Sequence, residues 1–425
     1  MVEIRPFHGF HYDMRAASAE ASDLMAPPYD VISNRLLARL KRNPHNIVNI
    51  TLGKIDGSYS HAAHLLRSWI RDGIVRRDER ECLYVYDQSF SWEGRIYCRT
   101  ALLAATMLEP MGQGILPHEL THPKAKQDRM DNLREIRGNI EQVFLIYDDS
   151  RGSIMDKLEE AKKPENSILS FVDFDDVSHR IFRISDPGVI DSITKELRGR
   201  SALIADGHHR YETALEYARK MDEENGQGGH DFILTALVCA HDPGLLMLPT
   251  YRLLHSLNPR LLARLPIDLK KRFDVEEIDD RIALSERLSG EDATGALGFW
   301  LTESNRGLLA LLKPQFHPKD PLKNLDVFIL HEFVLEDLLG LTPEMQDRKE
   351  SIDYVKNTED AFREAENGGY QVICMLNPPT IPEVMDIARS GRKMPHKSTF
   401  FYPKLWSGLV MYMHEDRSQP SSGCL

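Results

Sequence analysis

The sequence predicts an α+β fold of mixed sheets with flanking helices. Three observations carry this. Apolar runs of strand length recur from one end of the chain to the other. Helical patterns, with apolar residues at i, i+3, i+4 and i+7, stand between them. Neither kind of segment is gathered into its own half of the chain, so strands and helices are interleaved throughout.

In order along the chain, "LARLKRN" near residue 40 reads as a short helix and "SHAAHLLRSWIRDG" (60–73) as a longer one. In the second, Ala63, Leu66 and Ile70 share a face, and Gly73 suits the left-handed position that closes a helix. "CLYVYDQSF" (82–90) and "RIYCRTALLAATML" (95–108) are strands, and the glycine in "SWEGR" makes them a hairpin. "QVFLIYDD" (142–149) and "HRIFRIS" (179–185) are further strands, and "FILTALVCA" (232–240) is too apolar to be anything but buried. "ALGFWLTESNRGLLALLK" (296–313) reads as a second hairpin turning near Asn305, Arg306 and Gly307. "LDVFILHEFVLEDLLG" (325–340) predicts an amphipathic helix ended by Gly340. "QVICMLNPP" (371–379) is a buried strand, followed by a short helix with Pro382 in its first turn. Composition shifts near residues 110 and 240 divide the chain into regions 1–110, 111–240 and 241–425.

A chain of 425 residues allows two or three domains, and 42% hydrophobic with 28% charged residues is the balance of a soluble globular protein. The net charge of −12 argues against sequence-blind DNA binding, which draws its affinity from basic surface. Of the five cysteines, Cys82, Cys98, Cys239 and Cys374 lie in apolar strand-like runs and are expected as reduced core residues; Cys424 is in the tail. The start "MVEIRPFHGFHYD" has no signal-peptide pattern and no apolar run approaches 18 residues, so neither export nor a membrane span is expected and a cytoplasmic location is the default.

Four stretches carry candidate chemistry. The first is "SALIADGHHRYETALEYARK" (201–220), where an apolar strand runs into Asp206 and Gly207 and then a helix begins. A helix start has a positive dipole end, so His208, His209 and Arg210 are misplaced there for stability alone. They make sense around an anion, most simply a phosphate. The plainer alternative is an N-capping Asp206 with solvated cations behind it. The second is "LPHELTHPKAKQDRMDNLREIRGN" (116–139), with His118, Glu119, His122, Lys126, Arg129 and Arg137. His118 and His122 have the spacing of a zinc-hydrolase helix, but Pro123 disfavours helix at His122. The reading preferred here is a loop presenting Glu119 as a general base, then a helix after Pro123 whose cations reach phosphate. The third, "MAPPYDVIS" (25–33), presents Tyr29 and Asp30 on a proline-stiffened loop. The fourth, "KMPHKSTFFYPKLWSGL" (393–409), lacks the glycines of a Walker loop, yet offers Lys397 as a phosphate ligand.

"APPYDVIS", "HELTHPKAKQDR", "RGNIEQVFLIY", "ADGHHRYETAL" and "MPHKSTFFYPKL" occur in that order over almost the whole chain. Together they resemble domain-of-unknown-function family 1015. "ADGHHRYETA" is also similar to the phosphate box of the ParB/sulfiredoxin superfamily, and through it to the free L-serine kinases. The resemblance implies a ParB/sulfiredoxin-like nucleotide-binding core and phosphoryl transfer to the hydroxyl of free L-serine, giving O-phosphoserine. ATP, ADP or pyrophosphate would be the donor, and Mg²⁺ on Asp206 the metal. Asp206, His208, His209 and Arg210 match the box, with Gly207 allowing backbone approach. Glu119 becomes the acid that takes the hydroxyl proton, with Asp206 and His209 beside it among the catalytic residues. Asp30 is the alternative base, and His118 and Tyr29 are candidate substrate contacts. Lys126, Arg129, Arg137 and Lys397 complete the phosphate set. The long interval from Glu119 to the box is a departure: either residues 148–180 are an insertion or Glu119 is not the equivalent residue. The expected partners are a small-molecule substrate and a nucleotide, with no nucleic acid, no membrane, and a homodimer as the candidate assembly. The competing functional reading is a ParB-like nucleotide-binding regulator that hydrolyses slowly and has no small-molecule acceptor.

Overall fold

The apolar runs of the first 240 residues pair into one mixed nine-stranded sheet in the computed structural model of the chain, which describes residues 2–119, 123–291, 294–348, 350–395 and 397–414. The strands are β1 (Ile4–Arg5), β2 (Leu83–Trp92), β3 (Arg95–Met107), β4 (Ile115–Leu116), β5 (Val143–Tyr147), β6 (Ser167–Val172), β7 (Ser178–Ile184), β8 (Ala202–Asp206) and β9 (Phe232–Cys239). Their order across the sheet is β4-β8-β5-β9-β3-β2-β7-β6, with β1 added on β3. The expected first hairpin is β2–β3. Its tip is Glu93-Gly94, both with positive φ, which is the two-residue turn whose twist matches paired strands.

This sheet belongs to a compact unit made of residues 1–246 and 403–425; residues 247–402 form a second unit. Residue 110 therefore falls inside the first unit, in the connection from β3 to β4, and β3 pairs directly with β9. The composition shift there marks a loop between strands of one sheet. Residues 148–180 are likewise built into the fold. They supply helix Ser153–Ala161 and the strands β6 and β7, which extend the sheet from β2.

Five helices of this unit matter for the site or the core: α1 (Ser60–Arg71), α2 (Pro123–Ile136), α3 (Ser153–Ala161), α4 (Pro187–Leu197) and α5 (His208–Asn225). One hydrophobic cluster joins Val85, Leu102, Leu145 and Ile204 of the sheet to Leu158 of α3, Ile193 of α4 and Tyr211 of α5. Each such aliphatic side chain contributes about 1.5–3 kcal/mol when fully buried. That anchoring holds the end of β8 and the start of α5 in place. On α5, Tyr211, Ala214 and Ala218 are buried, with Thr213 and Tyr217 beside them, while Leu215 is only half-buried.

The second unit holds a six-stranded antiparallel sheet of β10 (Tyr251–Leu254), β11 (Phe273–Ile278), β12 (Ala296–Leu301), β13 (Arg306–Leu312), β14 (Ile352–Val355) and β15 (Val372–Leu376), in the order β11-β13-β12-β15-β10-β14. Residues 325–340 depart from the expected α-helix. Asp326–Ile329 is α-helical, but Leu330–Glu336 is wound as a wider π-helix before Gly340 ends the segment at φ +70°. Over so short a run the two windings differ by about one position, so an amphipathic pattern fits both.

Cys82, Cys239 and Cys374 are buried, as expected; Cys98 is exposed. It lies on β3 beyond the level where β9 covers that strand, so its apolar sequence context does not translate into burial. Among the described residues, no helix is long and apolar enough to cross a membrane.

Candidate functional site

Two short strands position the site. β4 and β8 run parallel, with Leu116 opposite Leu203. Three residues beyond that pair, one chain reaches Glu119 and the other Asp206, so both acids leave the sheet at the same end. The His118 backbone N–H donates to Nε2 of His208 at 3.3 Å, and the two rings meet edge-on with centroids 4.8 Å apart. Both histidines are buried. As an acceptor, Nε2 of His208 leaves the ring proton to Nδ1. In this arrangement His208 clamps the segment that carries Glu119, a different task from the cationic phosphate contact expected of it.

The turn itself has two special features. A register shift between Ile204 and Asp206, opposite Leu145 and Phe144 of β5, places a bulge at the end of β8 and re-aims Asp206. Gly207 then adopts φ +93° at the N-cap of α5, and no side chain caps the helix. Asp206 therefore does not act as the N-cap. A Cβ on Gly207 would stand 3.1 Å from the Arg210 guanidinium, which folds back over the glycine. Gly207→Ala is expected to cost about 1–2 kcal/mol from the left-handed backbone alone, to be read as a lower thermal midpoint, and to displace Arg210 from the turn.

Asp206 is surrounded by cations. Lys404 Nζ lies 2.8 Å from its Oδ2, and Arg210 Nη2 4.0 Å from its Oδ1. Burial works to raise its pKa, but Lys404 and Arg210 outweigh that and hold the carboxyl well below the usual range. Asp30 goes the other way. It keeps contact with solvent yet lies within a dense shell of protein; this desolvation, followed by the Asp206 charge, pushes its carboxyl up against the pull of Lys404 and Arg210. Two interacting carboxyls with pKa values driven apart are a common basis for acid and base roles in one site. Arg210 is fixed by donating from Nη1 to the Gln142 carbonyl at 2.5 Å.

A supporting layer lies beside this group. Glu141 is buried and accepts from Ser407 Oγ at 2.9 Å and from the Tyr29 backbone N–H at 3.3 Å. Arg129 is buried with its guanidinium 4.3 Å from the Tyr29 ring centroid; it donates to Tyr59 Oη at 2.8 Å and the Thr51 carbonyl at 3.1 Å, and lies 3.9 Å from Glu141. Burial, above all, pushes the Tyr29 hydroxyl up to about 12. Tyr29, Asp30, Arg129, Asp206 and Arg210 are thus gathered in one electrostatic neighbourhood with Glu141.

The other expected residues are placed differently. Lys126 pairs with Glu212 of α5 at 2.6 Å, linking α2 to α5. Arg137 is exposed just past the end of α2, at φ +54°. His209 is half-buried in the first turn of α5. Lys397 is exposed, at φ +60°, in the second unit. His122, and with it the two-histidine metal pair, lies outside the described residues. The sequence reading missed Lys404, Glu141 and Gln142. Their signal was present, since "FYPKL" and "RGNIEQVFLIY" were both among the matched motifs, but neither stretch shows which residue faces Asp206 or Arg210.

The donor set around Asp206 does not suit Mg²⁺ as arranged. Its carboxylate already faces Lys404 and Arg210, and a hard divalent cation needs several oxygen ligands free of such competition. The same cations are well suited to a phosphate.

Comparison with solved structures finds low-scoring similarity over most of the chain. A conserved hypothetical protein from Pyrococcus furiosus is 16% identical, with 71% of this chain and 90% of that one covered and a TM-score of 0.34. A free serine kinase in complex with ADP is 14% identical, with 71% and 87% covered and a TM-score of 0.36. A C-terminally truncated SbnI from Staphylococcus aureus is 7% identical, with 75% and 84% covered and a TM-score of 0.34. No curated protein matches the chain. The sequence model of the family described as "Protein of unknown function (DUF1015)" matches residues 4–328, and the chain belongs to that family.

Proposed function

We propose that the first unit is a small-molecule kinase that transfers a phosphoryl group to the hydroxyl of free L-serine, forming O-phosphoserine. The observation that carries this is the parallel pairing of β4 and β8, which brings Glu119 to the same end of the sheet as the Asp206–Arg210 turn. The choice of serine rests on the likeness of "ADGHHRYETA" to the phosphate box of the free serine kinases. Arg210 and Lys404 supply positive charge at the start of α5 for the donor phosphates, and the helix dipole adds to it. Glu119 takes the proton of the serine hydroxyl as its oxygen bonds to the terminal phosphorus of ATP, ADP or pyrophosphate. The bond from that phosphorus to its bridging oxygen breaks, and the shortened donor leaves. Asp206 orients Lys404 and Arg210. Asp30 is the second reading for the base, favoured by its upward-pushed carboxyl beside ionised Asp206.

The test is incubation of the purified full chain with L-serine and, in turn, ATP, ADP and pyrophosphate, following O-phosphoserine by ³¹P NMR. Product with at least one donor is expected. No product with any donor, while nucleotide still binds, rules the kinase reading out and leaves a nucleotide-binding regulator.

A further inference from the structure

Arg210 of the phosphate turn also lines a small cavity of about 50 Å³, together with Arg129 and Asn132 of α2, Glu141, and Thr213 of α5. Arg129 and Glu141 are both more than nine-tenths buried, at 6% and 7% side-chain exposure. The Nε and Nη2 groups of Arg129 donate to Asp128, Tyr59 and the Thr51 carbonyl. Among the described residues its Nη1 has no hydrogen-bond acceptor; it stands 3.9 Å from Oε2 of Glu141, beyond bonding distance. Glu141 has the matching gap. Its Oε1 accepts from Ser407 Oγ and from the Tyr29 N–H, while Oε2 accepts from no described residue.

Two opposite charges taken out of water lose their hydration, and a pair that stops short of hydrogen bonding recovers little of that cost. Here both ends of the pair, Nη1 and Oε2, keep unused bonding capacity on residues that line the cavity. The lining selects among occupants. A metal ion would meet two guanidinium groups, and a simple anion would meet a buried carboxylate. A ligand that carries both charges satisfies both sides. Spacing narrows the choice further. In an α-amino acid the ammonium nitrogen and the carboxylate oxygens are about 2.7–3.6 Å apart by covalent geometry. That is close to the 3.9 Å between Oε2 and Nη1. Size agrees as well. Where one water takes about 10–15 Å³, the cavity has room for about three to five water-sized groups. An ammonium, an α-carbon and a carboxylate fill it and leave the side chain outside.

We propose that this cavity binds the zwitterionic end of the acceptor, with Arg129 Nη1 on the α-carboxylate and Glu141 Oε2 on the α-ammonium, and so restricts the kinase to free α-amino acids. The proposal rests on the kinase reading for the hydroxyl that reacts. Arg210 lines the cavity and is also the group assigned to the donor phosphates, so an amino acid held here is next to the donor. Compounds that share the serine hydroxyl but lack one of the two charges, such as ethanolamine and L-glycerate, are poor acceptors. Arg129 and Glu141 take no part in the proton transfer; they decide which hydroxyl compound is held.

The experiment is calorimetric titration of the full chain, in the presence of ADP, with L-serine, ethanolamine and L-glycerate. L-serine is expected to bind, and each analogue to bind about 10–150-fold more weakly, the loss of one charge-assisted hydrogen bond. Glu141→Gln keeps the shape and removes the charge. It is expected to weaken L-serine by a similar factor and to leave L-glycerate, which has no ammonium, nearly unchanged. A Glu141 that served structure alone would weaken both ligands alike. Unchanged ADP affinity shows that the variant is folded; if it does not fold, the two analogues on the wild type carry the test. No binding of L-serine, analogues as tight as L-serine, or an equal loss of L-serine and L-glycerate in Glu141→Gln overturns the site. Charge-selective binding of L-serine without O-phosphoserine from any donor overturns the kinase reading and keeps the site. O-phosphoserine formed with an unchanged KM for serine in Glu141→Gln keeps the kinase and overturns the site.

Discussion

Glu119→Gln is expected to lower the rate of O-phosphoserine formation by about 10²–10⁴-fold, the usual worth of a positioned general base. Nucleotide affinity should hold, because the substitution keeps the shape and the donor phosphates are assigned to Arg210 and Lys404. Steady-state kinetics with calorimetric titration of ADP separates the two effects. Asp30→Asn is the companion measurement. If Glu119→Gln retains most of its activity and Asp30→Asn loses it, the base is Asp30. The pH profile distinguishes them as well. A base must be ionised to work, so activity falls on the acid side as it is protonated. Because desolvation and the Asp206 charge push the Asp30 carboxyl up, an acid limb set by Asp30 is displaced upward from the ordinary aspartate value.

Arg210→Ala is expected to weaken nucleotide binding by about 10–150-fold, the equivalent of losing a charge-assisted hydrogen bond worth about 1.5–3 kcal/mol. Arg210→Lys should fall between, since it keeps the charge and loses the planar fork. The alanine variant should also be less stable. It removes the donor to the Gln142 carbonyl and leaves Asp206 with Lys404 as its remaining close cation. Circular dichroism first establishes that the variant is folded. A folded Arg210→Ala protein that binds ADP as tightly as the wild type would remove the phosphate role from this turn.

How much of this was legible in the sequence depends on the range of the interaction. The hairpin at Glu93-Gly94, the helix start at His208 and the left-handed Gly207 are set by neighbours in the chain, and local patterns showed them. His118 and His208 were each singled out, yet their contact was not, because it requires β4 to lie parallel to β8. The Asp206–Lys404 pair joins residues 198 positions apart, and no spacing rule reaches that far. Arg129 illustrates the opposite error of emphasis. Its place in a basic helix suggested a phosphate ligand, but the fold buries it against Tyr29 and Tyr59, where its Nη2 donors bond within the protein.

The sequence by itself determined the α+β composition of the fold, the family, and the stretch from Asp206 to Arg210 as the place to look for an anion. These follow from local periodicity, from the backbone freedom of one glycine, and from the cost of placing cations at a helix start. Only the tertiary structure decided which distant groups meet Asp206, with Lys404 from the far end of the chain as its ion-pair partner and Asp30 as a carboxyl that the Asp206 charge pushes up, and only it set Glu119 at the same end of the sheet through a parallel strand pair. Strand pairing and charge pairing act through space, and their partners are chosen by how the sheet closes, which no short stretch of sequence encodes.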